Sequence, residues 1–173
     1  MEIVRAGIND AKVVGLVHST AWKQAYENVF PPEYLYSDTP AKRTQEFLES
    51  CNNKDVFYYL LYEAELAVGV VKVMKESDGY EIVSFYILEE HWGKGFGKQA
   101  VIYLRKLLGG EKVQLWVLED NKKVRRFYEN NGFKNTGNTR VICRGNSYVQ
   151  MQYELCDSPF SSQPLTPPPA IEL

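Results

Sequence analysis

The chain has 173 residues, 45% of them hydrophobic, and a formal net charge of −2. That length buries one core and falls short of two domains of ordinary size. The balanced charge gives no case for general nucleic-acid or anionic-membrane binding, and no apolar run reaches the roughly eighteen residues of a membrane span.

Met1-Glu2-Ile3-Val4-Arg5 lacks the basic and apolar regions of a secretion signal, so a cytoplasmic protein is expected, with Glu2 to Arg5 as a first strand. Asn9-Asp10 offers polar caps for a helix running to about Ala25, with Val14, Val17, Ala21 and Ala25 in one stripe. Trp22, Tyr26, Phe30, Tyr34, Leu35 and Tyr36 then crowd around Pro31-Pro32, a pattern that is neither a clean helix nor a strand. Polar-tipped aromatics on irregular backbone either line a ligand cleft or tether a loop to the core. Thr39 before Pro40 marks a second helix start, with Phe47 and Leu48 on its core face, and Asn52-Asn53 ends it.

From Val56 the pattern turns to strands. Phe57 to Tyr62 and Leu66 to Met74 form a hairpin through Glu63-Ala64-Glu65, and Ser77-Asp78-Gly79 leads into a strand from Tyr80 to Leu88. His91-Trp92-Gly93-Lys94-Gly95-Phe96-Gly97-Lys98 follows and opens a helix whose Phe96, Ala100, Val101, Leu104, Leu107 and Leu108 recur at helical spacing until Gly109-Gly110. Glycines at a helix N-terminus bring free N–H groups and a positive dipole end close to an anion, so a phosphate-bearing ligand fits. A Walker loop does not match, since Trp92 stands at its first glycine and Gln99 follows Lys98. A dinucleotide loop needs a glycine where Lys98 stands. The glycines can also simply make a tight strand-to-helix turn.

Lys112 to Glu119 reads as a strand parallel to the Tyr80 strand, because the helix between them is a crossover. Asn121 to Asn130 is a helix closed at Asn131-Gly132, and Phe133 onward and Tyr148 to Leu155 flank a turn at Arg144-Gly145-Asn146-Ser147. The elements sum to one α/β (α+β) domain over 1–155, with a mixed, mostly antiparallel sheet of about seven strands flanked by helices. Residues 156–173, with Pro159, Pro164 and Pro167-Pro168-Pro169, read as an extended tail, either an appendage or a docking arm for a partner or second subunit, so a homodimer is admitted. Cys51, Cys143 and Cys156 have no paired spacing and are expected as free thiols. His18 and His91 are the only histidines and stand at no ligand spacing, so no metal is expected.

The glycine turn, followed by Leu115-Trp116-Val117-Leu118, Asn121 and then Phe127-Tyr128-Glu129-Asn130-Asn131-Gly132-Phe133, resembles the GNAT superfamily of acetyl-CoA-dependent N-acetyltransferases. The resemblance spans most of the chain and leaves out only the proline tail. It implies the acyl-CoA N-acyltransferase fold, acetyl-CoA as cosubstrate and a small-molecule amine as partner. It also implies that the backbone of Trp92, Gly93, Lys94, Gly95, Phe96, Gly97 and Lys98 binds the CoA pyrophosphate, although the family usually has Gln or Arg where this chain has Trp92. Ile87 and Leu88 match the strand end along which pantetheine lies as an added strand. Asn121 matches a cofactor-side Asn and is equally a helix cap. Tyr128 matches the Tyr that protonates the leaving thiolate, or is a core aromatic. Glu81 matches a position used as a base through water, or is a strand-edge carboxylate. Trp22, Tyr26 and Tyr34 fall in the acceptor segment, where Glu27 and Glu33 would favour a cation such as a polyamine or aminoglycoside. An amino-acid-like amine is also admitted as acceptor, and a catalytically silent CoA-binding or sensing module of the same fold is the alternative.

The chemistry sets its own demands. An alkyl ammonium of pKa about 10.4 must lose a proton before attack, at roughly 4 kcal/mol near pH 7, which a base such as Glu81 would ease. A thiol of pKa about 8.5 is a stronger acid than a Tyr of about 10, so Tyr128 serves better as a hydrogen-bond donor to the developing thiolate than as a full acid. A backbone N–H of the Ile87-Leu88 strand end is placed to hold the oxyanion.

Overall fold

The computed structural model describes residues 1–155; the proline-rich segment and Cys156 lie outside the described residues. Seven strands and five helices follow in the order β1 (Glu2–Arg5), α1 (Ala11–Tyr26), α2 (Pro32–Leu35), α3 (Pro40–Ser50), β2 (Val56–Glu63), β3 (Leu66–Glu76), β4 (Gly79–Ile87), α4 (Phe96–Leu107), β5 (Val113–Leu118), α5 (Lys122–Asn130), β6 (Phe133–Arg144) and β7 (Asn146–Leu155). The strands form one sheet in the order β1-β2-β3-β4-β5-β7-β6. Only β4 and β5 run parallel, as the crossover through α4 requires. The mixed, mostly antiparallel seven-stranded sheet read from the sequence is the one observed.

Alternation along the strands sends side chains to two cores. Val71, Val73, Ile82, Val113, Leu115 and Val117 pack with Phe96, Ala100, Val101 and Leu104 of α4 and with Tyr128 of α5. Tyr58, Leu60 and Val70 face the other way, onto Val14 and Val17 of α1 and Phe47 of α3. Thr39 caps α3 by accepting from the Lys42 N–H at 3.2 Å, and Pro40 takes its first position. Leu48, expected beside Phe47 in the core, is 37% exposed, because the buried stripe of so short a helix is one residue wide. The last hairpin is tighter than its turn-forming letters indicate: Arg144 pairs with Asn146 around Gly145, at φ +78°, so the ladder absorbs Asn146 and Ser147. The aromatic segment is more regular than its prolines imply, since Trp22 and Tyr26 ride on α1 and Pro32 opens α2.

Between α1 and the sheet lies His18, 1% exposed, its ring 5.5 Å from that of Tyr86. Burial, with the nearby Arg43 adding to it, pulls its pKa from 6.5 down to about 3. The folded protein therefore keeps His18 neutral where the unfolded chain takes up a proton. This contribution is whole above about pH 6.5 and is lost between there and about pH 3, at ~1.4 kcal/mol per pH unit. His18→Gln should flatten the acid limb of stability, read as urea midpoints at pH 7, 5.5 and 4.5. The same slope in the variant would assign it to other groups.

Candidate active site

The site is built by a divergence in the sheet. β4 and β5 pair only at Tyr80 with Val113, Glu81 with Gln114 and Ile82 with Leu115. On its other edge β4 slips register against β3, which leaves Val83 as an extra residue. Such a bulge bends the strand. Beyond it β4 follows β3 as far as Ile87, while β5 follows β7 as far as Leu118. The two facing edges thus open a split, lined by Ile82, Val83, Phe85, Tyr86, Trp116, Val117, Val124 and Tyr128. It joins, at Ala25, Leu118 and Asn121, a cleft of about 580 Å³ walled by Asn28, Val29, Glu119, Asp120 and Ser147 to Val149.

The strand end presents Ile87. Leu88 donates its N–H to Val68 O at 2.9 Å and accepts from His91 N–H at 2.9 Å, so both its backbone groups are taken. The alternation of an antiparallel ladder then turns the Ile87 N–H and C=O away from β3, into the split. Of the two, Ile87 thus turns its backbone toward the split, and its C=O already accepts the Trp92 indole N–H at 2.7 Å. Trp92, at 40% exposure, also carries the Lys123 ammonium 5.2 Å from its ring centroid, which ties the glycine turn to α5.

At the turn itself, Gly93 and Gly95 adopt φ of +75° and +84°, a region that penalises any side chain. α4 begins at Phe96 with no side chain capping it. Among the described residues no backbone carbonyl accepts from the N–H groups of Gly93 to Lys98, so an N-terminal array of donors stands free. The side chains at this turn do other work. Phe96 is buried in the core, and Lys94 turns back to Glu63 at 3.8 Å, where His91 also pairs at 2.9 Å. A Cβ on Gly97 would lie 3.0 Å from the Phe127 ring, so that glycine lets α4 and α5 close together.

Tyr128 enters the split from α5. It is 7% exposed, its ring meets Phe127 and Phe133 at 5.1 and 5.3 Å, and its hydroxyl has no hydrogen-bond partner among the described residues. Burial, reinforced by the neighbouring Tyr26, drives its pKa above the ordinary Tyr range. The Tyr26 and Tyr86 rings lie 6.1 Å apart, edge to face, and burial raises the pKa of both. All three phenols keep their protons at neutral pH. Glu81 sits on the opposite face of β4. Burial raises its pKa, while Arg140 and a hydrogen bond from Trp116 oppose the rise. A carboxylate so raised is a better base than an exposed one. Asn121 caps α5, its Oδ1 accepting from the Val124 N–H at 3.1 Å, and its side chain borders both the split and the cleft.

Of the expected acceptor residues, Tyr26 lines the split, whereas Trp22, 6% exposed, is packed behind it against Phe30 and Tyr34 with ring centroids 5.7 and 6.2 Å away. Glu27 and Glu33 are exposed and border neither cavity. Tyr86, Trp116 and Tyr148 were not singled out from the sequence. Their strands alternate like any others, and only the register across the split reveals them. Among the described residues no three His, Cys, Asp or Glu side chains gather as a metal requires, and no helix is long and apolar enough to cross a membrane.

A profile described as the acetyltransferase (GNAT) family matches residues 19–133. The spermidine N(1)-acetyltransferase of Thermoplasma acidophilum is 24% identical over 142 residues, which cover 78% of this chain and 88% of that protein. Among solved structures, the PaiA N-acetyltransferase of Thermoplasma acidophilum in complex with coenzyme A aligns at a TM-score of 0.70 and 23% identity, over 87% of this chain and 96% of its own. The ribosomal-protein-S18-alanine N-acetyltransferase of Escherichia coli aligns at 0.69 and 14% identity, over 95% and 98%.

Proposed function

Because the chain belongs to the acetyltransferase (GNAT) family and is an acetyl-CoA-dependent N-acetyltransferase, we propose that it transfers acetyl directly to the primary amine of a small polar molecule, at the split between β4 and β5. The observation that carries this reading is Tyr128, a buried residue lining the split, whose hydroxyl has no hydrogen-bond partner among the described residues, at an opening where the Ile87 N–H faces away from β3.

In this reading the N–H groups of Gly93 to Lys98 receive the pyrophosphate of CoA, and the pantetheine arm lies along Ile87. Asn121 contacts the arm from α5 with the amide nitrogen that its cap leaves free. The amine approaches from the face carrying Tyr26 and Glu81. Glu81 draws the ammonium proton through water, the nitrogen attacks the thioester carbonyl, and the oxyanion is held by the Ile87 N–H. Collapse breaks the C–S bond as Tyr128 donates to the departing sulfur. Its raised pKa disfavours complete proton transfer and leaves hydrogen-bond donation as its role. Spermidine acetylation by the Thermoplasma relative supports a small amine as the acceptor class.

The direct test is acetyl-CoA consumption across an amine panel, with released thiol as the readout; silence across the panel, with acetyl-CoA still bound, would sink the acceptor assignment. The glycine turn has its own test. Gly93→Val and Gly95→Val force a β-branched residue into a left-handed backbone, at about 1–2 kcal/mol of strain each, and should weaken acetyl-CoA binding by about tenfold or more by calorimetry. An unchanged Kd in both variants would remove the turn from the binding site.

A further inference from the structure

We infer that the Trp92 side chain is a latch on the cosubstrate channel: in the free protein its indole N–H holds the last carbonyl of β4 that faces the split, and acetyl-CoA must displace it to seat its pantetheine arm. This rests on the reading that the arm lies along Ile87, and it makes Trp92 a residue that sets the affinity for the cosubstrate by opposing it.

An arm laid on β4 as an added strand needs backbone groups that point away from β3. At the strand end these belong to Ile87, since Leu88 spends its N–H on Val68 O and its C=O on the His91 N–H, both at 2.9 Å. The Ile87 C=O is already engaged: the Trp92 Nε1–H donates to it at 2.7 Å. That distance is a full hydrogen bond, and the indole that delivers it stands before the carbonyl, where an amide of the arm would come. The same ring carries the Lys123 ammonium 5.2 Å from its centroid. Lys123 lies in the first turn of α5, the helix that bears Tyr128. The indole therefore reaches from β4 to α5, across the way from the glycine turn to the buried phenol.

Both contacts are of a kind that exchanges easily. Trp92 is 40% exposed and Lys123 is exposed, and a neutral hydrogen bond or a hydrated cation–π pair gives way to water or ligand at little net cost. The backbone need not follow the side chain. Trp92 N–H donates to Glu89 O at 3.0 Å, which anchors the residue. The space beside it is open, since nothing lies within 4 Å of the place a Cβ on Gly93 would take. Until the arm arrives, the indole also satisfies a strand-edge carbonyl that would otherwise stand bare.

Trp92→Phe is the test, because it keeps a ring for Lys123 and removes the N–H. The variant should bind acetyl-CoA about three- to tenfold more tightly than the parent by calorimetry. ADP, which brings a diphosphate to the glycine turn but has no arm, should bind both proteins alike. Trp92 also reports on itself: subtracting the emission of the variant from that of the parent leaves its signal, which should shift to longer wavelength as acetyl-CoA is added and stay still with ADP. Weaker or unchanged acetyl-CoA binding by the variant, an equal gain for ADP, or a difference spectrum that ignores acetyl-CoA would each overturn the latch. If the parent binds acetyl-CoA and the variant gains nothing, only the latch falls. If neither protein binds acetyl-CoA, the reading of the site falls and the latch with it.

Discussion

Replacing Tyr128 by Phe is expected to lower kcat by about 10²- to 10³-fold, within the range found when one hydrogen-bond donor to developing charge is removed, with the Kd for acetyl-CoA changed by less than about twofold. The substitution keeps the ring that packs on Phe127 and Phe133. The hydroxyl it removes bonds to no other residue among those described, so no partner is orphaned and the fold should keep its stability. That combination makes the variant diagnostic: a loss of rate at constant acetyl-CoA affinity and constant Tm points to the transfer step rather than to folding or cosubstrate binding. A kcat within a few-fold of the parent would mean that Tyr128 makes no useful bond to the departing sulfur and serves as an aromatic of the core.

The largest effect on stability is expected at Gly15. In α1 it faces α3 so closely that a Cβ would run into the Thr44 side chain and lie 2.6 Å from the Pro40 carbonyl oxygen and 2.8 Å from the Thr44 nitrogen. Gly15→Ala gains about 1 kcal/mol of helix propensity. Against it stands an overlap with backbone atoms at the capped start of α3, which no rotamer change relieves, and overpacking of this kind costs roughly 1–3 kcal/mol or more. We expect a net loss of about 2 kcal/mol for Ala and more for Val, read from urea midpoints. A stabilised Gly15→Ala would show that α3 can withdraw from α1 at little cost. Because α1 also carries Tyr26 and Trp22, the same variant should disturb the acceptor face before the glycine turn.

The fold was legible because its signals are local. The Thr39-Pro40 cap, the strand alternation and the glycine turn each declare an element, and a helix between two apolar strands declares a parallel pair. Of the candidate site, the sequence reveals only residues that one motif keeps together in space, as Gly93 to Lys98 are. Leu88 could not be told from Ile87 by letter, since which of the two faces the opening depends on the register of β3. Tyr86, Trp116 and Tyr148 were hidden for the same reason: three strands remote in sequence bring them to the split and its adjoining cleft. Glu27 and Glu33, whose charge and nearness in sequence to the aromatic segment favour an acceptor role, are exposed and line neither cavity.

The three rungs joining β4 to β5 carry a mechanical meaning as well. On one side of them lie β1 to β4, each paired with its neighbour in the chain, and on the other side β5 to β7. The sheet is thus two sequence-local plates with a short weld at one end, and a cosubstrate laid along Ile87 would act as a removable seam between the free margins. Amide exchange should register it there: in the empty protein Phe85, Ile87 and Val117 would exchange ahead of the plate interiors, and the loaded protein would draw the two margins into a single slowly exchanging unit.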